Sequence, residues 1–109
     1  MSTYCIETKG GPYCFDADNR FEALRKFFLG IKEGSVQLSD VGLVVTITEQ
    51  GEEYPFRTLP VLYFMGIFDK EKAMKLAKKV SRKIKEADLE KLAMSDAKTL
   101  GLIKDNSSI

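Results

Sequence analysis

Two short segments of this chain alternate in polarity, break at a glycine and alternate again. That pattern constrains the fold more than any other feature. In the first, residues 3–9 place Tyr4, Ile6 and Thr8 on one side and Cys5, Glu7 and Lys9 on the other; Gly10-Gly11 turns, and Tyr13-Cys14-Phe15 returns. Period-two alternation about a glycine turn is the signature of a half-buried β-hairpin. Pairing Lys9 with Pro12 sets Thr8 against Tyr13 and Ile6 against Phe15, so Tyr4, Ile6, Tyr13 and Phe15 share the apolar face. In the second, residues 43–49 are β-rich, Gln50-Gly51 turns and residues 52–58 return. Pairing Glu49 with Glu52 opposes Ile47 to Tyr54, Val45 to Phe56 and Leu43 to Thr58. Pro55 and Arg57 then fall on the other face, with Pro55 marking an edge strand.

The two hairpins echo each other. Ile6, Gly10, Tyr13 and Phe15 recur as Ile47, Gly51, Tyr54 and Phe56, each 41 positions later. A helical pattern follows each. Asn19 and Glu22 have capping-box spacing, and Phe21, Leu24, Phe28 and Ile31 recur at helical intervals beside Ala23 and Phe27. Gly30 and Gly34 weaken that helix towards its end. Asp69 is placed to cap a second helix running to about Glu86, with Asp88 and Ser95 as caps for one or two short helices beyond.

The expected fold is α+β. Two β-hairpins form a four-stranded, mainly antiparallel sheet with helices packed on it, in ββα-ββα-like order with C-terminal helices. The 109 residues suit one domain, expected over 1–104 with 105–109 as a flexible tail. Residues 4–32, with strand, glycine turn, strand and a helix carrying Glu22-Ala23-Leu24, resemble the N-terminal ββα unit of HicB-type antitoxins. The Pro-Asp-Leu-Pro-Gly segment usual in that family is not present after the second strand. The resemblance is therefore one of supersecondary pattern.

Chemistry is constrained chiefly by the lack of histidine, the commonest acid–base side chain near neutral pH and the commonest metal ligand. Cys5 and Cys14 share a hairpin face but lie diagonally in the register above. They lack zinc-site spacing, so a metal would need a second subunit; two reduced, half-buried side chains are expected over a redox pair or an intersubunit metal site. Asp16, Asp18 and Glu22 meet where the second strand joins the first helix. They have the chemistry to hold a hard cation, but capping the helix dipole is the simpler role. Gly10-Gly11-Pro12 lacks the lysine and following helix of a phosphate loop. The expectation is a non-catalytic protein without cofactor or metal.

Two surfaces remain for binding. Residues 59–68 are apolar at nearly every position, too short to cross a bilayer and too apolar for a solvated loop. Leu59, Val61, Leu62, Tyr63, Phe64, Met65, Ile67 and Phe68 are candidates for burial in the core or for an interface with a second copy or another protein. The favoured function is accordingly a binding or assembly module, expected as a homodimer. The alternative is nucleic-acid binding through the basic face of the 70–85 helix, where Lys72, Lys75, Lys78, Lys79, Arg82 and Lys83 can track a phosphate backbone. Net charge is only +1, but residues 1–68 carry 6 basic and 9 acidic side chains against 11 and 7 in 69–109. Only a local electrostatic case for nucleic acid therefore stands. A helix-turn-helix with its turn at Met94-Ser95-Asp96 offers few base-reading side chains beyond Lys98 and Thr99. No signal-peptide pattern or membrane-length apolar run is present, so a cytoplasmic location away from membranes is expected.

Overall fold

A computed structural model describes residues 1–103. The tail expected at 105–109 lies outside the described residues. The chain has an α+β fold and divides into two compact units, Met1–Thr58 and Leu59–Ile109.

In the first unit the order is β1 (Ser2–Thr8), β2 (Gly11–Ala17), α1 (Arg20–Glu33), a 3-10 turn (Leu38–Asp40), β3 (Val44–Glu49) and β4 (Glu52–Arg57). The strands form one antiparallel sheet in the order β2-β1-β3-β4. The second hairpin has the expected register, with Glu49 opposite Glu52, Ile47 opposite Tyr54 and Val45 opposite Phe56. Its two-residue turn has positive φ at both Gln50 (52°) and Gly51 (82°), as a type I′ hairpin requires.

The first hairpin departs from expectation by one residue on each strand. Thr8 faces Gly11, Ile6 faces Tyr13, Tyr4 faces Phe15 and Cys5 faces Cys14. The turn is Lys9-Gly10, and the positive φ falls on Gly11 (114°). Thr8 locks this register: its hydroxyl donates to the Gly11 carbonyl (2.7 Å) and accepts from the Gly10 N–H (3.1 Å). Asp40 holds the turn from outside, its carbonyl accepting from the Lys9 N–H (3.1 Å) and its carboxylate from the Tyr13 hydroxyl (2.7 Å). Moving one residue on both strands preserves the faces, so Tyr4, Ile6, Tyr13 and Phe15 still share one side.

Helix α1 begins where Asn19 accepts from the Glu22 N–H (2.9 Å). The Glu22 carboxylate reaches back one residue further than a strict capping box, to the Asp18 N–H (3.3 Å). It ends at Gly34 in the left-handed region, whose N–H returns to Gly30. Ala23, Leu24, Phe27, Phe28 and Ile31 are buried with Ile6, Val45 and Ile47. Phe27 meets Tyr13 and Phe15 edge-on at ring separations of 6.0 and 6.4 Å. α1 therefore covers the apolar face of the sheet, as its stripe implies.

Both outer strands carry a proline where the ladder does not need its N–H. Thr58 donates to the Leu43 carbonyl, so strand alternation turns the backbone groups of 53, 55 and 57 off the free edge of β4. The 4.0 Å Cα separation of Cys5 and Cys14 marks a close, non-hydrogen-bonded pair, which turns 12, 14 and 16 off the free edge of β2. Pro12 and Pro55 occupy such outward positions and remove one edge donor each. The Lys26 ammonium takes up the Asp16 carbonyl on the same edge as Pro12. These are devices that discourage edge-to-edge pairing.

The second unit contains α2 (Leu59–Phe64), α3 (Lys70–Val80) and α4 (Glu86–Thr99). Leu59, Ala73, Ala77 and Leu89 form its buried centre, with Tyr63, Phe68, Met74, Leu76 and Ile84 packed around them. Two helical expectations are corrected here. The helix from Asp69 stops at Val80, not near Glu86, because residues 81–85 leave the helix and Asp88 accepts from the Lys85 N–H (2.9 Å) to start α4. Ser95 caps nothing: it lies inside α4, which runs unbroken through 94–96, so no helix-turn-helix forms there.

Candidate functional site

The lysines of α3 have their positions set by the residues beneath them. Asp69 caps the helix, accepting from the Lys72 N–H at 2.8 Å, and Ala73 and Ala77 are buried on one side. At 100° per residue, Lys72, Lys75 and Lys79 fall on the opposite side, with Lys78 at its flank. Lys72, Lys75, Lys79 and Leu76, with Asp69 and Glu71 at one end, line one shallow hollow. A second, lined by Lys70, Glu71, Met74, Lys75, Lys78 and Glu86, shares Lys75 with it.

Charge on this face is little offset. Lys70 pairs with Glu86 at 3.5 Å with both side chains exposed, a pair of small energetic value. The Lys72 ammonium stands 4.7 Å from the centre of the Phe68 ring. Among the described residues Lys75, Lys78 and Lys79 have no acidic partner within salt-bridge distance. From Lys72 to Lys79 the rise is about 10 Å, roughly the axial length of three base-pair steps of a duplex. The break after Val80 takes Arg82 and Lys83 off this face and into the 81–85 turn, where both are exposed. The expected six-residue basic face is thus a four-lysine helix face beside a basic turn.

The apolar segment 59–68 divides differently. Leu59, Val61 and Leu62 are buried in the chain; Tyr63, Met65, Ile67 and Phe68 are half-buried, and Phe64 is exposed. The Tyr63 hydroxyl donates to the Glu90 carboxylate, which raises the phenol above its ordinary pKa.

No family model matches this chain, and no curated protein or solved structure is similar to it at a significant level.

On the first unit, the face of the sheet away from α1 carries Cys5 and Cys14 joined as a disulfide (S–S 2.00 Å), which corrects the expectation of two reduced side chains. Direct opposition brings the sulfurs together; the diagonal placement of the expected register would not have. The signal was present in the echo of the hairpins. Carried back by 41 positions, the pairing of Glu49 with Glu52 becomes Thr8 with Gly11, which sets Cys5 against Cys14. Of the carboxylates at the start of α1, Asp16 accepts from the Thr3 hydroxyl at 2.7 Å, and Glu22 accepts from the Asp18 N–H. Among the described residues no three His, Cys, Asp or Glu side chains converge as a metal site. No helix among them is long and apolar enough to cross a membrane.

Proposed function

We propose that this chain is a non-catalytic binding module that engages the phosphate backbone of nucleic acid through the lysine face of α3. The supporting observation is that, among the described residues, no carboxylate stands within salt-bridge distance of Lys75, Lys78 or Lys79 on an exposed helix face backed by buried alanines, although Glu71 lines the same hollows as Lys75. Aromatic side chains for base stacking do not accompany them, because Phe68 is half-buried and covered by Lys72. Recognition of this kind follows charge spacing and carries little sequence preference.

Titration of labelled single- and double-stranded DNA and RNA at several salt concentrations tests the proposal. Affinity should fall steeply with salt, by about 0.7–0.9 in the log–log slope for each phosphate contacted. Replacing Lys75, Lys78 and Lys79 by glutamine should weaken binding to all sequences alike. Salt-insensitive affinity, or none at low salt, would leave these lysines as a solvated surface.

A second reading, self-assembly, draws on Phe64, exposed beside half-buried Tyr63, Met65 and Ile67. Burial of Leu59, Val61 and Leu62 shrinks that patch, and Pro12 and Pro55 make strand addition at either edge unfavourable. Light scattering on the eluting protein, with Phe64→Ser as comparison, distinguishes a dimer from a monomer.

A further inference from the structure

We infer that the Cys5–Cys14 disulfide is a thiol–disulfide exchange site for external thiols and not a structural staple, with Cys14 the sulfur attacked and Cys5 the leaving thiolate. The inference is independent of the lysine face.

Three features of the bond's placement support it. The first is that the register it spans has other holders. It joins residues nine apart in sequence, a short loop whose closure removes chain entropy worth about 2–3 kcal/mol, at the lower end for such crosslinks. The same register is already held without it. Thr8 ties the turn, Asp40 grips Lys9 and Tyr13, and Tyr13 and Phe15 pack on Phe27 of α1.

The second is that it is reachable. This bond lies on the sheet face away from α1. Cys14 is exposed and Cys5 half-buried. Exposed disulfides are the ones that exchange readily.

The third is that its two ends differ. A thiolate attacks a disulfide in line with the S–S bond, from the side opposite the leaving sulfur. Cys14 is on edge strand β2, so the line of approach to its sulfur comes from beyond the sheet. Cys5 is on interior strand β1 with Thr48 of β3 directly across from it, so approach to its sulfur passes over that side chain.

The chemistry balances with a dithiol as reductant. One thiolate of the dithiol bonds to Cys14 Sγ as the Cys5–Cys14 bond breaks, and the electron pair leaves on Cys5 Sγ, which takes a proton from water. The second thiolate of the same molecule then attacks its own mixed-disulfide sulfur and releases Cys14 as a thiolate, which takes a second proton from water. The protein gains two hydrogens and the dithiol becomes a disulfide. A monothiol stops at the mixed disulfide on Cys14 until a second molecule arrives.

The test uses the whole chain. The oxidised protein is treated with 2-mercaptoethanol, quenched with acid and mapped by peptide mass. The adduct should sit on Cys14, and an adduct mainly on Cys5 would overturn the assignment. In parallel, Cys5→Ser and Cys14→Ser are exposed to oxidised glutathione. The lone Cys14 should be modified several-fold faster than the lone Cys5, and equal or reversed rates would count against the inference. Finally, Cys5→Ser/Cys14→Ser is heated beside the oxidised protein. A retained cooperative transition is expected, its midpoint lowered by no more than corresponds to the roughly 2–3 kcal/mol of loop-closure entropy that so short a crosslink removes, whereas loss of the transition would make the bond a staple.

Discussion

Ile6 and Ile47 stand directly opposite each other across the β1–β3 ladder, both fully buried, and they are also equivalent positions in the 41-residue echo of the sequence. Equivalent residues that pair with each other in an antiparallel ladder lie on a local two-fold axis. Cys5 opposite Thr48 and Glu7 opposite Thr46 flank that axis symmetrically, and both hairpins keep the same register under the 41-residue shift. The sheet is thus built of two hairpins of equivalent register related by that axis, with the isoleucine pair at the centre of the face that α1 covers.

Truncating either isoleucine should therefore be costly. Ile6→Ala and Ile47→Ala are each expected to lower unfolding free energy by about 2–5 kcal/mol. Because the two share one contact, the double variant should depart from additivity by roughly 0.5 kcal/mol or more. Urea unfolding of the three variants measures this, and strict additivity would mean that the pair does not act as a unit.

Gly10 owes its identity to a residue thirty positions away. A Cβ built on it falls 2.2 Å from carboxylate atoms of Asp40, the residue that also holds Lys9 and Tyr13. Gly10→Ala must turn that carboxylate away from the Tyr13 hydroxyl, with an expected cost of about 0.5–1.5 kcal/mol for the hydrogen bond lost. Gly42 is the control: its nearest neighbours would be 3.9 Å away, in the Lys9 side chain, so Gly42→Ala should be neutral or stabilising by up to about 1 kcal/mol. Equal effects at the two sites would remove Asp40 as the cause.

That distant grip also explains which parts of the fold were legible in the sequence. Alternation reveals both hairpins, the face each buries and the stripe of α1, because period and polarity are local properties. It misplaces the first turn, because Gly10-Gly11 offers two glycines and the choice is made by Thr8 and Asp40. The cysteine pairing was lost with it, although the echo with Gly51 points to Gly10 as the second turn residue. The lysine-rich stretch reads as one helix because its charges continue past Val80. The stop is signalled only by Asp88, three residues beyond Lys85, reaching back to cap a new helix. The lysine face of α3 survives this correction, while Arg82 and Lys83 leave it. The buried half of segment 59–68 was not legible, since apolar composition does not distinguish a core helix from an interface.

Alkaline pH should destabilise the protein. Burial, with Glu49 adding to it, raises the Tyr4 phenol above its ordinary pKa of 10.0; donation to Asp40 raises Tyr13, and donation to Glu90 raises Tyr63. A phenol whose pKa is higher in the folded chain stabilises it fully below the unfolded value. That contribution is lost as pH rises through the folded value. The urea midpoint should therefore fall above about pH 10. Tyr13→Phe should flatten part of that fall while lowering stability at neutral pH. An unchanged midpoint across this range would remove the tyrosines as its cause.

Asp69 separates the structural and electrostatic roles of the α3 face. Its carboxylate caps the helix at the Lys72 N–H and also places a negative charge in the hollow with Lys72, Lys75 and Lys79. Asparagine caps about as well as aspartate, so Asp69→Asn should hold stability within a few tenths of a kcal/mol, whereas Asp69→Ala should cost about 1 kcal/mol. If the lysines meet a phosphate backbone, both variants should bind nucleic acid more tightly at low salt. The gain should shrink near 0.1 M, where screening acts over about 10 Å. Thermal melts paired with titrations at two salt concentrations resolve the two effects. A gain in affinity with Asp69→Asn at unchanged stability would tie binding to this face, and unaltered affinity would place any nucleic-acid contact elsewhere on the chain.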